Sequence, residues 1–246
     1  MALSTDKILL TATKMVAKKH FNFPAKHLDI GAGTGDLITL MRSKFNIESV
    51  ACDYTDTLML LPDVTVNVAN LNTEKLPFDD NTFDIVTSTE VIEHLEHYRE
   101  TLQEAYRVLK KNGTLVVSTP NILNLKSRIR FLIFGFFNLF GPLHFKESEL
   151  HSAGGHITPI SLFYLIHSLV DADFVDIDVM IDKKQSTSIF WLILLYIPIQ
   201  LFSALTMKNE IKKYKTIDHS NIAYVKLINS IDILLGRTIV VGCKKR

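Results

Sequence analysis

The chain has 246 residues, 27 Lys plus Arg against 26 Asp plus Glu, and a formal net charge of +1. That length suits one sizeable domain carrying insertions rather than two independent cores, and the balanced charge gives no electrostatic basis for binding nucleic acid. Its two cysteines, Cys52 and Cys243, lie far apart inside apolar runs and read as buried free thiols of a reducing compartment, not as a disulfide.

The first segment, roughly Thr5 to His20, has the spacing of an amphipathic helix, and its scattered lysines argue against a cleaved signal peptide. Short β-rich runs then alternate with helical ones up to about Asn121. The strand candidates are 27–32, 49–54, 65–71, 83–90 and 113–120. GDLITLMRSKF between the first two is helical in period. Tyr98 to Lys111 before the last is helical too, with Asn112-Gly113 as its stop signal. Such alternation implies βαβ units, hence a mostly parallel sheet with helices on both faces. Further along, Thr158-Pro159 is expected to open a helix running through Leu169. Runs at 174–182 and 237–245 read as a sixth and a seventh strand.

LDIGAGTGDL sets Asp29, Gly31, Gly33 and Gly35 at the first strand-to-helix turn, where glycines let backbone approach a ligand and the next helix offers free N–H groups. A dinucleotide fingerprint would need a third glycine at position 36, which is Asp36. The pattern acid-x-G-x-G-x-G resembles motif I of the class I S-adenosylmethionine (SAM)-dependent methyltransferases. ANLNTEKLPFDDNTFDIVTSTEVIEHL and YRVLKKNGTLVVSTPN resemble the motifs that follow it in that family. The resemblance covers 26–121 and, more loosely, 156–182 and 237–245. Its EVIEHL and STPN wording is similar to the ubiquinone-biosynthesis and sugar or lipid branches. It implies a Rossmann-like α/β fold whose seven-stranded sheet has its last strand antiparallel, with SAM as cofactor. It also implies roles: Asp53 on the ribose hydroxyls, Asn70 (usually Asp) and the Leu71 backbone on adenine, and Glu90 on the cofactor. The short span from Asp53 to Asn70 leaves room for a brief helix or none.

For the chemistry, Glu90, Glu93 and His94 would share one face if the segment after the fourth strand turned helical. Three such groups can hold a hard divalent ion, as some O-methyltransferases of the resembling branches do; equally, the glutamate can place cofactor and His94 act as a base, with no metal. His144, His151 and His156 fall in the insertion after the fifth strand. His151 and His156, beside Gly154 and Gly155, are the candidates for the acceptor side.

The apolar excess sits in two insertions, at about 122–155 and 183–236, within a single methyltransferase domain expected to span 1–246. Ser188 to Leu205 lies in an uncharged stretch between Lys184 and Lys208, long enough to cross a bilayer. A single crossing is incompatible with a seventh strand that returns to the same sheet. The expectation is therefore a pair of half-helices divided at Pro198, re-entrant or interfacial, or else a buried lid. Both insertions should leave the sheet at its carboxyl edge, where open α/β sheets bind ligands. Lysines 208, 212, 213 and 215 suit anionic headgroups, and 221–235 adds an amphipathic segment. The functional expectation is O-methylation of a lipid-linked or hydrophobic acceptor, a polyprenyl-linked sugar or a quinone precursor, at the cytosolic face of a membrane. The alternatives are a methyltransferase of a soluble carboxyl or amine compound, and a non-catalytic SAM-binding module.

Overall fold

The computed structural model describes residues 5–143 and 155–246. Five parallel strands are laid down first: β1 (Ala25–Ile30), β2 (Ile47–Asp53), β3 (Val66–Val68), β4 (Phe83–Thr89) and β5 (Leu109–Pro120). β6 (Phe174–Ile181) and β7 (Thr238–Lys245) complete one sheet of order β3-β2-β1-β4-β5-β7-β6, in which β7 runs antiparallel to both neighbours. The central strands are buried on both faces and correspondingly rich in Val and Ile.

Two apolar layers hold helices to this sheet. α1 (Asp6–Lys18) and α2 (Asp36–Lys44) cover one face, with Ala12, Met15, Val16, Leu37 and Met41 against Ile85, Val116 and Val240. α3 (Tyr98–Val108) and α5 (Leu162–Asp171) cover the other, with Leu102, Leu165 and Leu169 against Leu28, Val86, Leu115 and Val241. No helix separates β2 from β3; residues 54–65 instead loop back, and Leu60 N–H donates to the Thr34 carbonyl.

Tertiary contacts override two helix boundaries read from the sequence. α3 stops at Val108, not Lys111, because the Arg107 and Val108 carbonyls accept from Asn81 N–H and Thr82 N–H while Leu109 pairs with Phe83. Asn112 (φ 63°) then sits in a bulge within β5 instead of capping a helix. Thr158-Pro159 does not open α5. The Thr158 hydroxyl donates to the Leu95 carbonyl and its N–H to the Glu93 carbonyl, so the helix begins only after Ser161.

The first insertion holds α4 (Leu125–Phe134), capped by the Asn124 side chain and ended by Gly135 (φ 75°). The second holds α6 (Ser186–Asn209), a five-residue π-helical extension (Glu210–Tyr214), α7 (Ile222–Leu227) and α8 (Ile231–Leu235). Pro198 does not divide α6: it lies on the bare side of one continuous helix, where a missing N–H leaves no buried orphan. Nor is α6 a buried lid. Its inner face carries Trp191, Leu195, Ile199, Gln200 and Ser203, half-buried over α4 and α8. Its outer face leaves Ile193, Leu194, Ile197, Leu201 and Phe202 exposed. Gln200 donates to the Asn229 carbonyl, Asn229 donates to the Ser203 hydroxyl, and Arg128 of α4 donates to Asn229 Oδ1, pinning the helix at mid-length. The chain leaves and rejoins the sheet at one point, where Asp182 N–H donates to the Thr238 carbonyl and Lys184 bridges to Gly236.

Candidate active site

Both insertions and the glycine turn leave the sheet at the carboxyl ends of its strands. Gly31, Gly33 and Gly35 all have positive φ (70°, 50° and 85°), which L-residues with a side chain adopt only under strain. At Gly31 a Cβ would stand 2.2 Å from Val91 Cγ2, so this turn tolerates glycine alone. Asp53, at the end of β2, accepts from Gly33 N–H (2.8 Å, Oδ2) and from Tyr54 N–H (2.7 Å, Oδ1). Each of its oxygens keeps a further lone pair, as two vicinal hydroxyls would require. Asp29 is buried beneath the turn and accepts from the Thr87 hydroxyl at 2.7 Å. Burial and, secondarily, the Asp53 charge push its carboxyl up to about 7, against the Thr87 hydrogen bond.

Asn70 and Leu71 follow β3 and are half-buried. Asn70 Oδ1 already accepts from Asn72 N–H at 3.1 Å in a local turn, which leaves one lone pair for a ligand. Glu90 adopts φ 57° immediately after β4 and exchanges hydrogen bonds with Ser118 of β5 at 3.0 Å. Burial raises its carboxyl to about 7. Ser118 is a site neighbour that sequence reasoning passed over; its signal was its place in STPN.

The shared helical face expected of Glu90, Glu93 and His94 does not form. Residues after β4 make only a three-residue 3-10 turn (Ile92–His94), and the positive φ at Glu90 turns its side chain toward β5. The group brought together is Glu93, His94 and His156, with one ligand atom of each within 4.8 Å of the others. The His94 and His156 rings meet edge-on at 4.8 Å. His156 comes from a distant segment, held because Ile157 and Thr158 N–H both donate to the Glu93 carbonyl. His144 and His151 lie outside the described residues.

This cluster is electrostatically loaded. Glu93 is fully buried, and neither carboxylate oxygen has a hydrogen-bond partner among the described residues. Burial, reinforced by the Glu90 charge, holds its carboxyl well above the usual range, with Thr119 pulling weakly the other way. His94 Nδ1 lies 2.9 Å from the Gly155 carbonyl. A carbonyl only accepts, so Nδ1 carries the proton and Nε2 presents a lone pair. Burial lowers the His94 pKa, and drives that of His156 to about 4 with the help of His94, so both rings are neutral at physiological pH. His156 Nδ1 is buried and also unpartnered among the described residues. Phe140 packs beside the pair, 5.2 Å ring to ring from His156.

A family model described as a methyltransferase domain matches residues 28–117. An uncharacterized protein of Methanocaldococcus jannaschii is 30% identical over 188 residues, 74% of this chain and 78% of the relative. The chain belongs to the class I SAM-dependent methyltransferase family. A ubiquinone/menaquinone biosynthesis C-methyltransferase of Cereibacter sphaeroides is 31% identical over 102 residues, which cover 37% of this chain and 41% of that enzyme. The solved structure of a SAM dependent methyltransferase from Archaeoglobus fulgidus shares the fold at TM-score 0.58 and 18% identity, covering 98% of this chain and 95% of that one. This methyltransferase therefore takes SAM as its cofactor, and its glycine turn lies inside the matched region. His156 and both apolar insertions lie outside it.

Proposed function

We propose that this methyltransferase transfers a methyl group to an oxygen on a lipid-linked or otherwise hydrophobic acceptor, working from the cytosolic surface of a membrane as one domain with two apolar insertions. The observation that carries the reading is a run of aromatic residues between the bare apolar face and the histidine pair. Phe131 on exposed α4 stacks on Phe137 at 4.4 Å, Phe140 N–H donates to the Phe137 carbonyl, and Phe140 meets His156 beside His94. α6 extends that face; it is long and apolar enough to cross a bilayer, and its most apolar window is unburied. A crossing would carry Asn229 and the Arg128 that binds it toward hydrocarbon, so the helix is read as lying in the interface, its lysines at 208, 212, 213 and 215 among headgroups.

In this reading the bound cofactor supplies an activated methyl carbon for in-line displacement. The chain's own residues orient and desolvate. Asp53 takes the ribose hydroxyls, Asn70 and the Leu71 backbone meet adenine, and Asp29 and Glu90 line the amino-acid end. His94 Nε2 accepts the acceptor's hydroxyl proton, being unprotonated and poised by the Gly155 carbonyl. His156 keeps the acceptor side dry and abuts His94.

A second reading of the chemistry rests on Glu93. Its two orphaned oxygens, with two neutral imidazoles, fit a divalent transition ion that would polarise the acceptor oxygen. The test is incubation of the purified protein and labelled SAM with membrane lipid extract or with aqueous extract. Label in a lipid hydroxyl supports the reading. Label only in water-soluble carboxyl or amine products favours a soluble acceptor, and SAM binding with no S-adenosylhomocysteine formed favours a binding module.

A further inference from the structure

Asp29 is the last member of a buried chain of hydrogen bonds that crosses three strands. His27 and Asp29 point to the same side of β1, two residues apart; Ser49 of β2 is in register with His27, and Thr87 of β4 with Asp29. His27 Nδ1 lies 3.1 Å from Ser49 Oγ, His27 Nε2 lies 2.8 Å from Thr87 Oγ1, and Thr87 Oγ1 lies 2.7 Å from Asp29 Oδ1. All four side chains are buried, and Asp29 Oδ2 makes no hydrogen bond among the described residues. A strand residue that only filled the sheet would not need an imidazole between two hydroxyls.

With any proton on Asp29 placed on Oδ1, the atom that faces Thr87, the proton count along this chain leaves two arrangements. With Asp29 ionised, its oxygens can only accept, so Thr87 spends its single proton on Oδ1. Thr87 oxygen must then accept from His27 Nε2–H. A neutral imidazole has one N–H, so His27 Nδ1 accepts from Ser49. With Asp29 protonated and donating to Thr87, every bond reverses, and His27 carries its proton on Nδ1, toward Ser49. Burial, aided by Arg42, takes the His27 pKa down to about 3, so the ring exchanges tautomers without becoming charged. The other groups bearing on Asp29 are Asp53 on β2, which favours its protonation, and Thr87 on β4. Cys52 on β2 has its thiol pushed up to about 12 and stays neutral.

We infer that Ser49, His27 and Thr87 form a positioning relay that orients Asp29 toward the cofactor's cationic amino-acid end, with the tautomer of His27 tied to the protonation of Asp29. The inference rests on reading Asp29 as a cofactor-side carboxylate. SAM brings an ammonium and a sulfonium, both of which favour the ionised form. Binding near or below pH 7 therefore expels part of a proton from Asp29 and sets His27 to Nε2–H.

The readout is long-range proton–nitrogen NMR of the His27 ring in full-length labelled protein, assigned with His27→Gln. The Nδ1–H tautomer is expected to gain share in cofactor-free protein as pH falls from 8 to 5, and SAM is expected to restore Nε2–H at pH 6. Calorimetry in buffers of different ionisation enthalpy should show proton release on binding at pH 6 and little at pH 8. Thr87→Val, which cuts the relay beside Asp29, should weaken SAM about tenfold. A His27 tautomer that stays fixed while Asp29 titrates overturns the relay, whatever SAM does. If the tautomer switches with pH but Asp29→Asn binds SAM as tightly as the wild type, the cofactor-side reading of Asp29 fails instead, and the relay's link to binding with it.

Discussion

Replacing Ile193 and Ile197 of α6 with glutamate tests the membrane reading without touching the fold. Both side chains are over three-quarters exposed, at 78% and 77%. Fully burying an isoleucine is worth about 1.5–3 kcal/mol, so completing the burial of each in an interface contributes about 1–2 kcal/mol. Losing both costs about 2–4 kcal/mol, which at 1.4 kcal/mol per decade is roughly a 30- to 700-fold drop in partitioning. The carboxylates add repulsion from anionic lipid. Folding should change by no more than about 0.5 kcal/mol, because neither residue has a buried partner to lose. The assay is cosedimentation with vesicles of mixed neutral and anionic lipid, beside thermal unfolding without lipid. Lys212→Glu with Lys213→Glu serves as a second probe and should weaken binding mainly at low salt. Wild-type protein that ignores vesicles, or a double glutamate variant that sediments like wild type, refutes the reasoning.

Three further outcomes follow from the site. Gly31→Ala adds about 1–2 kcal/mol of left-handed strain and drives a methyl into Val91; SAM affinity by calorimetry should fall at least about tenfold, with Val91→Ala rescuing it only in part. Asp29 has a folded-state pKa raised from 3.8 to about 7, so the stability it contributes is full below about pH 4 and is lost as pH rises to about 7. Asp29→Asn should therefore gain on the wild type in urea unfolding between pH 5 and pH 8, and a pH-independent difference would refute that account. Glu93→Leu removes two orphaned buried oxygens and should raise the metal-free melting point. If the cluster binds metal, added Mn²⁺ or Zn²⁺ should stabilise wild type but neither Glu93→Leu nor His156→Ala.

Much of the sheet was legible because its signals are local. The glycine turn, the alternation of strand and helix and the missing helix after Asp53 all follow from spacing, and strand ends fell within a few residues. What failed was set by distant partners. α3 gave up its last turn to Asn81 and Thr82, Thr158 was recruited by Leu95 instead of capping, and Pro198 stayed inside a helix because its bare side needs no donor. The site followed the same rule. Asp29, the glycines and Asp53 are one strand and one turn apart, close enough in sequence for the motif resemblance to group them, and Asp53 does accept from Gly33 N–H. Glu93, His94 and His156 meet only through the hydrogen bonds from Ile157 and Thr158 to the Glu93 carbonyl. A helical reading of EVIEH placed Glu90 in that group, and only the positive φ at Glu90 takes it out.

The apolar face and the histidine pair are consequences of one topological fact. β7 is antiparallel, so the chain must arrive at the carboxyl edge to begin it, and β6 ends at that edge as well. Any length of chain inserted between them is thereby held at the carboxyl edge without disturbing the sheet, and the same holds for the insertion after β5. The chain spends both insertions on hydrophobic surface: Leu132 and Ile133 of α4 and Ile193 and Ile197 of α6 are among its most exposed apolar residues. Of the two insertions, α4 reaches His156 through Phe137 and Phe140, whereas α6 is pinned by Gln200 and Ser203 to Asn229 and thus to Arg128 of α4. Removing the Arg128–Asn229 bond should therefore loosen α6 while leaving Phe131, Phe137 and Phe140 in place, so that the proposed membrane attachment, read by vesicle cosedimentation, separates from the proposed delivery of the acceptor, read by turnover.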